Sequence, residues 1–152
     1  MSELFYVDGA YCGANSLRFN EDLSRWNVSR VKTMYATFYG ASAFDGNVSS
    51  WDVSSVIDTQ HMFYHAAKFN GDISTWNLQS LQFMSAMFDG SDVFNQDLTM
   101  WNVNGVTYLN RLFAYTDEFN GDVSNWNVGE VTTMQTVFLD AKAFNRDISG
   151  WD

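Results

Sequence analysis

Asparagine and aspartate side chains recur with a fixed period along this 152-residue chain, in pairs that could coordinate a metal ion. The two members of a pair are two positions apart, as in Asn70 and Asp72 or in Asn95 and Asp97. Ca²⁺ is bound by several oxygen ligands at once, and stacked carboxylate and amide groups could supply them. The same residue types also form turns and hydrogen-bond along a stack. We favour the structural interpretation and therefore expect no cofactor, with calcium binding kept as the alternative.

Two histidines offer a second possible metal site, but the rest of the chain lacks catalytic motifs. His61 and His65 are four residues apart, a spacing that can bring two imidazoles onto one ion. Their positions hold Ala, Arg, Thr, Gly, Tyr or Asp in the other copies, so we expect both to face solvent without a metal. No Ser-His-Asp order, Gly-rich phosphate loop or Cys/His cluster occurs. We therefore expect no enzymatic activity.

These polar residues belong to a strict repeat, and the structural elements of that repeat must position them. Tryptophan recurs with a 25-residue period and without insertion, and phenylalanine stands seven residues before each tryptophan. A period in this range is typical of repeat arrays, in which neighbouring units share one core. We expect the recurring rings to point inward and to stack from unit to unit: Trp26, Trp51, Trp76, Trp101, Trp126, Trp151, Phe44, Phe69, Phe94, Phe119 and Phe144.

Two periodicities alternate within each unit. Apolar residues at i, i+3, i+6 and i+7 after the tryptophan predict a short helix. The stretch around Asp-Leu-Ser-x-Trp-Asn-Val favours a short strand. The sequence thus predicts an α/β fold, a leucine-rich-repeat-like β/α solenoid of about six 25-residue coils, each a short strand plus a short helix. We expect a single domain, with residues 1–18 as an N-terminal cap segment and residues 19–152 as the repeat solenoid.

The run Phe69-Asn70-Gly71-Asp72-Ile73-Ser74-Thr75-Trp76-Asn77-Leu78, with its copies and the Met-x-x-Met-Phe segments that follow, resembles the DUF285 or BspA-like surface-protein repeat. The resemblance covers residues 19–152. It implies a non-catalytic protein outside the cell or at its surface, with roles in adhesion or surface structure. The chain shows no secretory signal sequence, so we interpret it as a processed fragment or part of a longer array.

Composition excludes some partners. The chain has 8 Lys and Arg against 18 Asp and Glu, for a formal net charge of −10. Nucleic-acid binding requires basic patches that neutralise phosphates, so we expect no nucleic-acid partner. We also expect no direct membrane insertion, because no apolar stretch is long enough to span a bilayer.

Partner specificity is expected at the positions that vary between units. Amphipathic aromatic and exposed apolar side chains form the candidate contact surface: Tyr35, Tyr39, Tyr64, Tyr108, Tyr115 and Met100. Three hypotheses remain open, namely a surface protein that mediates adhesion or structural-layer contacts, a subunit of a fibre, sheath or viral particle, and a glycan- or calcium-binding module. The expected partners are proteins or glycans, and the C-terminal coil is expected to contact another copy or a continuation of the parent chain.

Overall fold

The repeat forms a stack of turns, not of helices and strands. The computed structural model describes residues 18–151, and within that range it contains no α-helix. Arg18 alone has 3₁₀ geometry. Isolated parallel bridges, one residue wide, connect Thr33, Asp58, Phe83, Tyr108 and Thr133 in that order. The expected leucine-rich-repeat-like β/α solenoid, with a strand and a helix in each coil, is therefore wrong.

Each 25-residue unit is bent by β-turns. We number the units 18–42, 43–67, 68–92, 93–117 and 118–142, followed by a partial unit at 143–151. In the first unit the amide of Trp26 donates to the carbonyl of Leu23 at 3.0 Å, and Val31 donates to Val28 at 2.8 Å. Equivalent bonds recur in the later units. The predicted strand around the tryptophan is thus a turn. The predicted cap segment lies outside the described residues except for Arg18.

The segment for which the sequence predicts a helix is a ladder between units. We call residues 33–40, 58–65, 83–90, 108–115 and 133–140 the ladder segments. In the first four, every second amide donates to a carbonyl of the following unit, at 2.7–3.3 Å. In the first segment the donors are Met34, Ala36, Phe38 and Gly40, and the acceptors are Asp58, Gln60, Met62 and Tyr64. Amides between them, such as Thr37 and Tyr39, donate three residues back within the unit.

Left-handed residues make this alternation possible and exclude a helix. Each ladder segment has two residues with positive φ, between 52° and 71°: Ala36, Gly40, His61, His65, Ala86, Gly90, Arg111, Tyr115, Thr136 and Asp140. An α-helix needs negative φ throughout, and an isolated helix of two or three turns is only marginally stable. A left-handed non-glycine residue costs about 1–3 kcal/mol. The hydrogen bonds between units and the burial of apolar side chains offset that cost.

Two columns of phenylalanine rings form the centre of the core. Rings at equivalent positions of successive units stack nearly parallel, with centroids 5.8–6.0 Å apart in the column Phe19, Phe44, Phe69, Phe94, Phe119 and Phe144. The second column is Phe38, Phe63, Phe88, Phe113 and Phe138, at 5.4–5.7 Å. The two columns touch where one unit meets the next, for example Phe63 and Phe69 with ring centroids 3.8 Å apart. Such pairs add about 0.5–1.5 kcal/mol each to the stability that burial provides.

Tryptophan ties each unit to the one before it. The indole Nε1 of Trp76 donates to the carbonyl of Val48 at 3.1 Å, and four other tryptophans make the equivalent bond 28 residues back. Trp51, Trp76, Trp101 and Trp126 are buried, whereas Trp26 and Trp151, in the first unit and the final partial unit, are more exposed. Indole rings stack directly between Trp101, Trp126 and Trp151.

Replacing Trp76 by Ala should lower the free energy of unfolding by about 3–5 kcal/mol, because the change leaves a cavity between two units. It also leaves the carbonyl of Val48 without its indole donor. Chemical denaturation monitored by circular dichroism measures this loss. The exposed neighbour Thr75 provides the control, since Thr75→Ala should change stability by less than about 0.5 kcal/mol. Equal losses in the two variants would contradict the inward position of the indole.

Candidate contact surface

The recurring acidic side chains are used to bend the chain. In each unit an Asp or Asn four residues before the tryptophan accepts a hydrogen bond from the amide two residues later, at 2.9–3.0 Å. The hydroxyl of Ser74 also donates to Asp72 at 2.7 Å. These bonds lower the pKa of the turn carboxyls: Asp22, Asp72, Asp97, Asp122 and Asp147. The second member of each pair thus forms an Asx turn.

The other member of each pair connects neighbouring units. The side-chain Oδ1 of Asn70 accepts the amide of Asn95 at 3.0 Å, and Asn95 accepts from Asn120 at 2.8 Å. The same bond joins Asn20 to Asp45, Asp45 to Asn70 and Asn120 to Asn145. Among residues 18–151, no three His, Cys, Asp or Glu side chains converge as a metal site would require. The geometry therefore favours turn formation over calcium coordination.

All five candidate tyrosines lie on one edge of the stack. Tyr35, Tyr39, Tyr64, Tyr108 and Tyr115 belong to ladder segments, and we call the surface of these segments the ladder edge. The rings of Tyr39 and Tyr64 stack at 4.6 Å. Tyr35, Tyr108 and Tyr115 are each 37–41% exposed. The ladder edge is therefore an aromatic surface whose side chains differ from unit to unit, unlike the Phe and Trp columns.

Met100 lies apart from this edge. It precedes Trp101 on a turn, is 80% exposed, and borders a shallow depression that is also lined by Trp76, Asn77 and Leu78. The sequence predicts that Met100 shares a contact surface with the tyrosines, because its side chain is apolar and its position varies between units. The structure separates it from them, so Met100 serves below as a control position.

A polar cluster on the ladder edge breaks the repeat symmetry. The carboxylate of Asp89 is fully buried and accepts a hydrogen bond from Nε of Arg111 at 2.7 Å. The Arg111 guanidinium lies 5.6 Å above the ring of Tyr115. Two buried atoms nearby, Oδ1 of Asp89 and Nδ1 of His61, have no hydrogen-bond partner within the described residues. Because buried polar groups are usually paired, this cluster is the most unusual polar environment on that edge.

The sequence predicts that both histidines face solvent, and for His61 this prediction is wrong. His61 is partly buried between the rings of Tyr35 and Tyr64, at 5.6 and 5.5 Å. Its position is held by the buried residues Ala36 and Ala86 in other units, which could have indicated an inward location. His65 is exposed, as expected, and its ring lies against Gly90, where a Cβ atom would come within 2.5 Å of Nδ1. Sequence reasoning missed Asp89 and Arg111, and the signal that could have found them is that each occurs only once at its position in the repeat.

The comparison with known protein families identifies the repeat. The family model described as "Mycoplasma protein of unknown function, DUF285" matches residues 6–101 and 71–152. The chain belongs to the DUF285 family. The resemblance seen in the repeated Phe-Asn-x-Asp and Trp-Asn-Val residues is thereby confirmed. No curated protein and no solved structure matches this DUF285 chain. Within residues 18–151 there is also no helix that could cross a membrane.

Lowering the pH from about 7.5 to 5 should destabilise the DUF285 stack through His61. Burial lowers the pKa of this imidazole below its ordinary 6.5, although Asp89 and Asp58 oppose the shift. The unfolded chain therefore binds the proton more readily, and the stability that is present above pH 6.5 falls as the pH drops through that value. Asparagine tolerates positive φ, so His61→Asn should keep the fold and reduce the change in thermal midpoint across this pH range. His65→Asn, which replaces the exposed imidazole of the same segment, is the control, and an equal effect of both variants would contradict the assignment to His61.

Millimolar Ca²⁺ should leave the thermal midpoint of the DUF285 chain unchanged. In turn aspartates such as Asp72 and Asp97, the Oδ1 atom that could coordinate the ion already accepts hydrogen bonds within the turn. Calorimetry with and without Ca²⁺, and with Mg²⁺ at equal concentration as the control for ionic strength, measures the effect. A midpoint that rises with Ca²⁺ alone would show that these oxygens bind the ion, because ligands of the native state raise stability.

Proposed function

We propose that this chain is a non-catalytic repeat protein of the cell surface or extracellular space, which mediates adhesion or structural-layer contacts through the ladder edge. One observation carries the proposal: the polar groups that recur in every unit are used to build turns and to join units, whereas the ladder edge carries side chains that vary. The recurring residues maintain the fold, and the variable positions of the same scaffold are free to present the residues that contact a partner.

The chemistry of the ladder edge suits recognition. Tyrosine provides rigid contact area together with a hydroxyl, and it is enriched in interfaces. Tyr35, Tyr108 and Tyr115 are partly exposed, and Arg111 adds a charged group that is already held in place by Asp89. A pre-positioned arginine and rigid aromatic rings lose little conformational entropy on binding. Protein and glycan partners both fit this combination.

Binding of the immobilised chain to panels of glycans and extracellular proteins tests the proposal. We expect capture that falls at least about tenfold in the double variant Tyr35→Ser/Tyr108→Ser, which would correspond to about 1.4 kcal/mol of binding free energy. Met100→Ser, a change of similar kind outside the ladder edge, should bind like the wild type. Capture that is equally lost in Met100→Ser, or unaffected by the tyrosine changes, would contradict a role for the ladder edge.

A further inference from the structure

Arg111 gives the ladder edge a charge that the repeat does not otherwise place there. It is the only arginine or lysine in the five ladder segments. The equivalent position of the other units holds Ala36, His61, Ala86 and Thr136. The backbone of the ladder therefore does not require an arginine at this position, and the reason for its presence must lie in what the side chain contacts.

The guanidinium of Arg111 is fixed on its inner side and open on its outer side. Its Nε donates to Oδ2 of Asp89 at 2.7 Å, and the side chain of Asp89 is 0% exposed whereas that of Arg111 is 40% exposed. The guanidinium carbon lies 5.6 Å from the centre of the Tyr115 ring, a cation–π contact. The second carboxylate oxygen of Asp89 has no partner within the described residues, so Arg111 alone offsets the burial of this charge.

Several hydrogen-bonding groups around this guanidinium remain available to a ligand. No residue within 18–151 accepts a hydrogen bond from Nη1 or Nη2 of Arg111. The hydrogen bond to Asp89 raises the pKa of Arg111, and the nearby phenols of Tyr64 and Tyr115 act in the same direction, although burial opposes them. In the same part of the chain, neither phenol hydroxyl has a hydrogen-bond partner. Two guanidinium nitrogens and two phenol hydroxyls are thus presented together.

This set of groups matches a carboxylate on a sugar. A guanidinium donates two parallel hydrogen bonds to a carboxylate, and it is pre-organised for this geometry. Aromatic rings with hydroxyl groups suit the mixed apolar and polar surface of a sugar. The formal net charge of −10 opposes ligands that carry many negative charges, such as a strongly acidic peptide. A sugar with one carboxylate experiences less of that repulsion.

We propose that Arg111, Tyr64 and Tyr115 form a binding site for a glycan that contains a uronic acid. The carboxylate of the sugar accepts hydrogen bonds from Nη1 and Nη2 of Arg111, and the phenol hydroxyls contact the sugar hydroxyls. Asp89 is a positioning residue, because it orients the guanidinium from below without reaching the ligand. The proposal rests on the proposed function, since it names the class of ligand that the ladder edge binds.

NMR titration of the ¹⁵N-labelled chain with sodium glucuronate tests the site. We expect shifts of the Arg111 Nε–H signal and of the amides of segment 108–115. Glucose with an equal concentration of sodium chloride should bind at least about tenfold more weakly, because it lacks the carboxylate. Equal binding of glucose would overturn the role of the carboxylate. Equal binding of N-acetylglutamate amide, which has a carboxylate but no sugar ring, would indicate an acidic peptide and overturn the proposal.

Variants at Arg111 separate recognition from folding. Arg111→Ala should lose glucuronate binding and keep the thermal midpoint, because Ala36 and Ala86 occupy the same position with similar positive φ. Arg111→Lys should also bind at least about tenfold more weakly, since one ammonium cannot replace the planar fork. The control Lys142→Ala removes another ion-paired cation, 2.8 Å from Asp117 and outside the ladder segments, and should bind like the wild type. Wild-type binding by Arg111→Ala, or an equal loss in Lys142→Ala, would overturn the site.

Failure of this site and failure of the proposed function give different results. Glucuronate that shifts no signal of the ladder edge overturns the site. If capture on the panels still depends on Tyr35 and Tyr108, the proposed function then stands without it. Glucuronate binding that requires Arg111 supports the site even where the tyrosine changes leave capture unaffected, and that second result would contradict the wider role of the ladder edge.

Discussion

The backbone ladder between units is the interaction on which the rest of the structure depends. Alternate amides of each ladder segment donate to the next unit, and this fixes the register at which side chains of neighbouring units meet. With that register, phenylalanine rings of neighbouring units stack, and the indole Nε1 of each tryptophan reaches a carbonyl of the preceding unit. It also lets Asx side chains accept hydrogen bonds from amides of the following unit. No single unit could satisfy these groups or bury these rings alone. Stability is therefore shared between neighbours, as in other repeat architectures.

The ladder also explains where variation is tolerated. Its left-handed positions accept Ala, His, Arg, Thr, Tyr, Gly and Asp, because the backbone bonds do not depend on the side chain. Their side chains, with those of the adjacent positions, make up the ladder edge. Asp89, Arg111 and His61 lie there together, at positions whose residues differ from unit to unit. The ordered core and the variable edge are thus two consequences of one hydrogen-bond pattern.

The sequence predicts the 25-residue period and the family, but not the local conformation. The apolar spacing of Val31, Met34 and Phe38 fits a helix as well as a ladder, since both place these side chains on one face. What decides is the sign of φ at Ala36 and Gly40, and only glycine at 40 and 90 or aspartate at 140 hints at it. Likewise, a turn forms at Asp22 in place of the predicted strand, because the Asp22 carboxylate accepts a hydrogen bond from the amide of Ser24. The cluster around Asp89 was not predictable, because it joins residues from different units.

Hydrogen-bond scalar couplings measured by NMR test the central claim most directly, since they report which carbonyl accepts each amide proton. In the second ladder segment the account predicts coupling from the amide nitrogen of His61 to the carbonyl carbon of Ser85, and from Phe63 to Met87. A helical segment would instead couple each amide to the carbonyl four residues earlier, Ile57 for His61. Observation of the helical couplings would contradict the account, and observation of couplings to the next unit would establish the ladder.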